Sequence, residues 1–138
     1  MEHHLIIFES QIEHSLNLSG LEEWLIRVMA HLNVASYDIT YVFMSDDDLL
    51  AVNKKYLNHD FYTDIITFDL SDGDVAVEGD IFISLERVKE NAVTHSASFI
   101  HELKRVLVHG ILHLVGFDDK TETLKAEMRN KEDELLRV

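Results

Sequence analysis

The spacing of apolar residues changes repeatedly along the chain, and each change marks an element. Residues 4–9, HLIIFE, are apolar and rich in β-formers and predict a first strand. Over residues 18–33, Leu21, Trp24, Leu25, Val28 and Met29 recur at helical spacing, with Ser19 and Glu22 as a capping box. YDITYVFM (37–44) alternates and predicts a strand. SDDDLLAVNKKYL (45–57) opens with Ser45 as a cap and Asp46, Asp47 and Asp48 in the first turn. That charge suits a helix N-terminus, so the three aspartates read as a solvated helix start rather than a metal site. TDIITFDL (63–70) predicts a strand, DGD (72–74) a turn, and EGDIFIS (78–84) another strand in which Gly79 marks a bulge or a tight approach. A helix is expected over 85–94 and a longer one over 96–115, carrying Phe99, Ile100, Leu103, Val106, Leu107, Ile111 and Leu114. The second half of that helix is apolar nearly all round, which predicts burial. The last segment, from Thr121 onward, reads as a charged amphipathic helix.

Strands mixed with helices, and a helical C-terminal half, predict an α+β fold with helices packed on a small sheet. No repeat or linker interrupts the pattern, so residues 1–138 are expected to form one domain. No stretch approaches the roughly 20 apolar residues of a membrane span, and MEHHLIIFES has too short an apolar patch for a signal peptide. The absence of cysteine excludes a disulfide scaffold and any cysteine zinc site, and fits the cytosol. A formal net charge of −14 repels phosphate backbones and favours cationic partners or metal ions. Before the C-terminal tail, the only dense basic group is Lys54–Lys55.

Candidate chemistry lies in VLVHGILHLVGFDDK (106–120). His109 and His113, four apart on a helix, share one face about 6 Å apart along the axis and can reach one point. With nine histidines in the chain, that pair alone is weak. Gly116, three residues on, can take the left-handed conformation that ends a helix, and Asp119 follows after three more. The full pattern, H-x-x-x-H-x-x-G-x-x-D, has a chance expectation of about one in two hundred. It has the spacing of the metzincin zinc enzymes, with aspartate as third ligand. Two histidines and a carboxylate leave positions open for water, the layout of a catalytic metal. The glutamate base of H-E-x-x-H is replaced by Gly110, which removes the protease's proton acceptor and suggests cleared space above the metal. His101 lies about 80° round the helix from His109 and reads as supporting or surface. His14, His31, His59 and His95 lack partners at ligand spacing and read as solvated.

HGILHLVGFDD closely resembles the H-G-x-L-H-L-x-G-[YF]-D-H signature of the YbeY family. NKKYLNHDFYTDIITF (53–68) and EGDIFIS (78–84) resemble that family's N-x-x-Y-R…T-D-V-L-S-F and G-D-I-x-I-S stretches, in the same order and at matching intervals. The resemblance implies a mixed sheet of about four strands with helices, a bound metal usually taken as zinc, and a single-strand-specific endoribonuclease. It also implies action on small-subunit ribosomal RNA, in maturation and quality control, alongside small-subunit proteins in the bacterial cytoplasm. His109 and His113 match the first two ligands. Asp119 stands where the signature has its third histidine, which moves preference toward harder ions such as Mn2+ or Fe2+. Asp118 matches the aspartate before it and is expected to support the site or cap the following helix. The family's arginine after the tyrosine is Leu57 here, so a phosphate clamp is missing unless Lys54, Lys55 or Arg105 supplies it. Tyr62 and Asp69 stand where the family often has proline, and read as drift. The general base is not identifiable from the sequence. Two rival readings stay open: a non-catalytic ribosome-assembly factor with a structural metal, docked on a basic ribosomal protein, and a metalloprotease-like hydrolase.

Overall fold

The alternating segment at 37–44 becomes an interior strand of the sheet in the computed structural model, which describes residues 3–73 and 75–138. Strand β2 (Tyr37–Met44) pairs in parallel with β1 (His4–Ser10) on one side and with β4 (Val77–Ser84) on the other. Strand β3 (Ile65–Asp69) runs antiparallel to β4 at the far edge, giving the order β1-β2-β4-β3. Parallel neighbours need a crossover. Helix α1 (Leu18–His31) supplies it between β1 and β2, and α2 (Asp46–Leu57) leads from β2 towards β3. Helices α3 (Leu85–Thr94), α4 (Phe99–Leu114) and α5 (Glu122–Leu136) then follow in succession. This is the α+β arrangement expected, a small mixed sheet of four strands packed with helices.

Period-two alternation sorts β2 between two cores. Tyr37, Ile39, Tyr41 and Phe43 join the larger cluster with Trp24, Val88, Leu107, Ile111 and Leu135, so α1, α3, α4 and α5 cover that face. Val42 and Met44 pack with Leu49 of α2 and Ile66 of β3 on the opposite face. Tyr41 is fully buried, and its hydroxyl donates to the Leu107 carbonyl at 2.9 Å. That bond satisfies a polar group that would otherwise be costly to bury, and it fastens α4 to the sheet. No helix among the described residues is long and apolar enough to cross a membrane.

Two glycines set how closely the layers approach. A Cβ on Gly110 would lie 2.8 Å from Ile81 Cδ1 and 3.1 Å from Ile65 Cδ1, so α4 sits directly on β3 and β4 there. Gly110 therefore faces the sheet, and the expectation that it clears space above a metal is overturned. A Cβ on Gly79 would meet the Phe68 carbonyl oxygen at 2.7 Å, and the strand register runs through it unbroken. It marks a tight approach, not a bulge.

Two sequence readings change at helix starts. The N-cap of α1 is Asn17, whose side-chain oxygen accepts from Gly20 N, rather than Ser19. Starting the helix at Leu18 lets that residue pack on the main core. Asp46 is no solvated helix start: it accepts from Arg87 Nη2 at 2.6 Å and from Ser84 Oγ at 3.1 Å, tying α2 to the start of α3. In the turn at 72–74, Gly73 has φ +98°, while position 74 lies outside the described residues. Ser45, Ser84, Ser98 and Thr121 cap α2, α3, α4 and α5, each side chain accepting a backbone N–H of the first turn.

Candidate metal centre

One face of α4 is polar from end to end. Glu102, Arg105, His109 and His113 fall at helical intervals, while Leu103, Val106, Leu107, Gly110, Ile111 and Leu114 are buried in the core. The helix stops after Leu114 because Gly116 takes φ +106°, as its place in the sequence predicts. Gly116 N donates to His113 O at 3.1 Å and Phe117 N to Leu112 O at 2.9 Å, which closes the turn on the last carbonyls. The chain then folds back, and Asp118 Oδ1 accepts from the backbone N–H of Asp119 at 2.6 Å and of Lys120 at 3.0 Å. Asp118 thus fixes the loop that presents Asp119, while Thr121 caps the next helix.

The fold brings His109, His113 and Asp119 together. His109 Nε2 and His113 Nε2 stand 3.0 Å apart, and each lies 3.6 Å from Asp119 Oδ2. Two imidazole nitrogens aimed at each other need a proton or a cation between them. A point equidistant from the three atoms is about 2.0 Å from each, the length of zinc–nitrogen and zinc–oxygen bonds. The cluster could therefore bind a metal. The three residues are only partly buried, so one side of this point faces the exterior.

Behind the histidines stands a residue not singled out in the sequence. Glu132 of α5, 4% exposed, accepts from His109 Nδ1 at 2.7 Å and from Arg105 Nη1 at 2.9 Å. Arg105 also donates to Asp133 at 2.6 Å. Glu132 thereby holds the His109 proton on Nδ1 and leaves the Nε2 lone pair facing the cluster, as supporting carboxylates do around metal-bound histidines. Burial lowers the His109 pKa, but the Glu132 hydrogen bond and charge, with Asp119 and Asp64, outweigh it and the net shift is upward. The missed signal is that Glu132 sits on the apolar stripe of α5, between Met128 and Leu135. Asp64 lines the cavity on each side of His109, and burial pushes its carboxyl above its ordinary range.

His101 is exposed on α4 away from the cluster. His31, His59 and His95 are exposed, as their spacing suggested, and His14 is half-buried. His31 meets Glu134 at 2.7 Å, His95 meets Glu102 at 3.1 Å, His14 bonds Ser10, and His59 stacks on Phe61. Lys125 and Arg129 line the cavity on one side of His109, but neither lines the groove that Leu57 lines. Leu57 lines the groove beside the triad, Lys54 pairs with Asp60 at 3.3 Å, and Arg105 is held by Glu132 and Asp133.

The profile of a family described as Endoribonuclease YbeY matches residues 7–138. The chain is 47% identical over 115 residues to the Endoribonuclease YbeY of Flavobacterium psychrophilum, covering 83% of this chain and 81% of that protein. It is 42% identical over 136 residues to the protein of the same name from Cytophaga hutchinsonii, covering 98% and 95%. Among solved structures, the solution structure of a Thermotoga maritima protein superposes with a TM-score of 0.72 at 28% identity, over 96% of this chain and 87% of that one. A match over nearly the whole chain, together with the His109–His113–Gly116–Asp119 geometry, means that the chain belongs to the YbeY endoribonuclease family.

Proposed function

We propose that this chain is a metal-dependent endoribonuclease that cuts single-stranded RNA in the maturation and quality control of the small ribosomal subunit, in the cytoplasm. The observation that carries the reading is the convergence of His109 Nε2, His113 Nε2 and Asp119 Oδ2 at a point that an open groove reaches. The names of the relatives supply the reaction class. His109, His113 and Asp119 hold one divalent ion. The spacing of the three atoms suits zinc, and the carboxylate also suits Mn2+ or Fe2+. When bound, the metal lowers the pKa of water and polarises a phosphoryl oxygen. Glu132 orients His109, and Asp118 holds the Asp119 loop. Asp64 stands in the groove wall beside His109 and is the carboxyl placed to accept a proton. The metalloprotease reading lacks the glutamate base of its motif, where Gly110 stands. The reading of a non-catalytic assembly factor with a structural metal draws on the −14 charge and on Leu57.

Cleavage assays separate these readings. The purified chain should cut a single-stranded RNA, leave the same RNA in a duplex and a casein substrate intact, and lose the activity to a chelator. Metal retained with no RNA cleavage supports the assembly-factor reading instead.

A further inference from the structure

Phe61 is 56% exposed, yet its loop is fastened from beneath. Asn58 takes φ +55° to end α2, His59 N donates to Asn53 O at 3.1 Å, and the buried Asn53 side chain donates to Phe61 O at 2.9 Å. The His59 and Phe61 rings lie 5.0 Å apart at 21°, a parallel stack held on a fixed backbone. Both rings line the groove of about 500 Å³ that also reaches His109, His113 and Asp119. That groove contains Asp64, Asp69 and Asp119 and, among the described residues, no lysine or arginine. Its walls therefore offer phosphate no lysine or arginine, yet they offer an aromatic face, which attracts a neutral π-system irrespective of charge.

We infer that the His59–Phe61 stack is a subsite for one unpaired nucleobase of the RNA strand, seated beside the candidate metal centre. The inference rests on the RNA-cleaving reading and assigns its substrate contact. A base in a duplex has both faces covered by its neighbours, so only an unstacked base fits, and strand selectivity follows from the site itself. The contact makes up for the absent cation at Leu57: away from the metal, the strand is held by a base where no lysine or arginine lines the groove to hold its phosphate.

The test is fluorescence anisotropy of a short labelled single-stranded oligoribonucleotide with the full chain, in chelator so that the strand stays intact. Phe61→Ala should weaken binding about ten-fold, as loss of one base stack does. The fold loss should be the same at low and high salt, because the contact neutralises no phosphate. Phe61→Trp should retain affinity, and its indole emission should change on addition of RNA; the single native tryptophan, Trp24, is buried in the core. The inference is overturned if Phe61→Ala binds like wild type, if Phe61→Leu restores full affinity, or if the loss is erased by salt. Wild-type chain that binds no RNA overturns the RNA-cleaving reading together with the subsite. Normal wild-type binding with an indifferent Phe61 overturns the subsite alone.

Discussion

Replacing Glu132 by glutamine tests whether α5 is part of the metal site or only packs against it. The substitution keeps the volume of a side chain that is 4% exposed, and a glutamine oxygen can still accept from His109 Nδ1. What it removes is a full negative charge 2.7 Å from the imidazole and 2.9 Å from the Arg105 guanidinium. Arg105 keeps Asp133 as a partner at 2.6 Å, so folding should lose only about 1–3 kcal/mol, the worth of a charge-assisted hydrogen bond. Metal affinity should fall by about 10- to 100-fold, because His109 loses the negative charge that raises its basicity. Zinc affinity is read by competition against a chromophoric chelator, and stability by denaturant unfolding of the metal-free chain. Unchanged zinc affinity in a folded Glu132→Gln variant refutes the reasoning. So does a variant that loses stability but binds zinc as before, since Glu132 would then serve packing alone.

Asp119→Ala should lose metal under mild chelation, whereas Asp118→Ala, which frees only the turn, should keep most of it; zinc content after dialysis reads the difference. Asp119→His should raise affinity for zinc relative to manganese, measured by competition titration, since imidazole suits zinc and carboxylate the harder ion. Gly116→Ala meets no atom within 4 Å, so its cost is conformational, about 1–2 kcal/mol at φ +106°. Metal affinity should suffer more than folding stability, which paired titrations and melts would show. Gly110→Ala forces a Cβ to within 2.8 Å of Ile81 and should cost about 1–3 kcal/mol by overpacking, read as a lower midpoint in denaturant.

Element types and most of their boundaries were legible in the sequence because they depend on neighbours along the chain. Ser45 and Thr121 announced helix starts, Gly116 announced a stop, and the alternation over 37–44 announced a strand. His109, His113 and Asp119 could also be found, because helical pitch and a glycine turn fix them relative to one another within eleven residues. What remained hidden depends on contacts across the sequence. Glu132 reaches His109 over 23 positions, and Arg87 reaches Asp46 over 41, so local periodicity shows only a carboxylate on a stripe and a charge at a cap. Gly110 was misassigned for the same reason. Its spacing places it beside a ligand, but only the packing of α4 on Ile65 and Ile81 decides that it faces the sheet rather than the groove. Spacing along one helix fixes which side chains can meet, while the neighbouring layer fixes which of them is buried, paired or left open to a substrate.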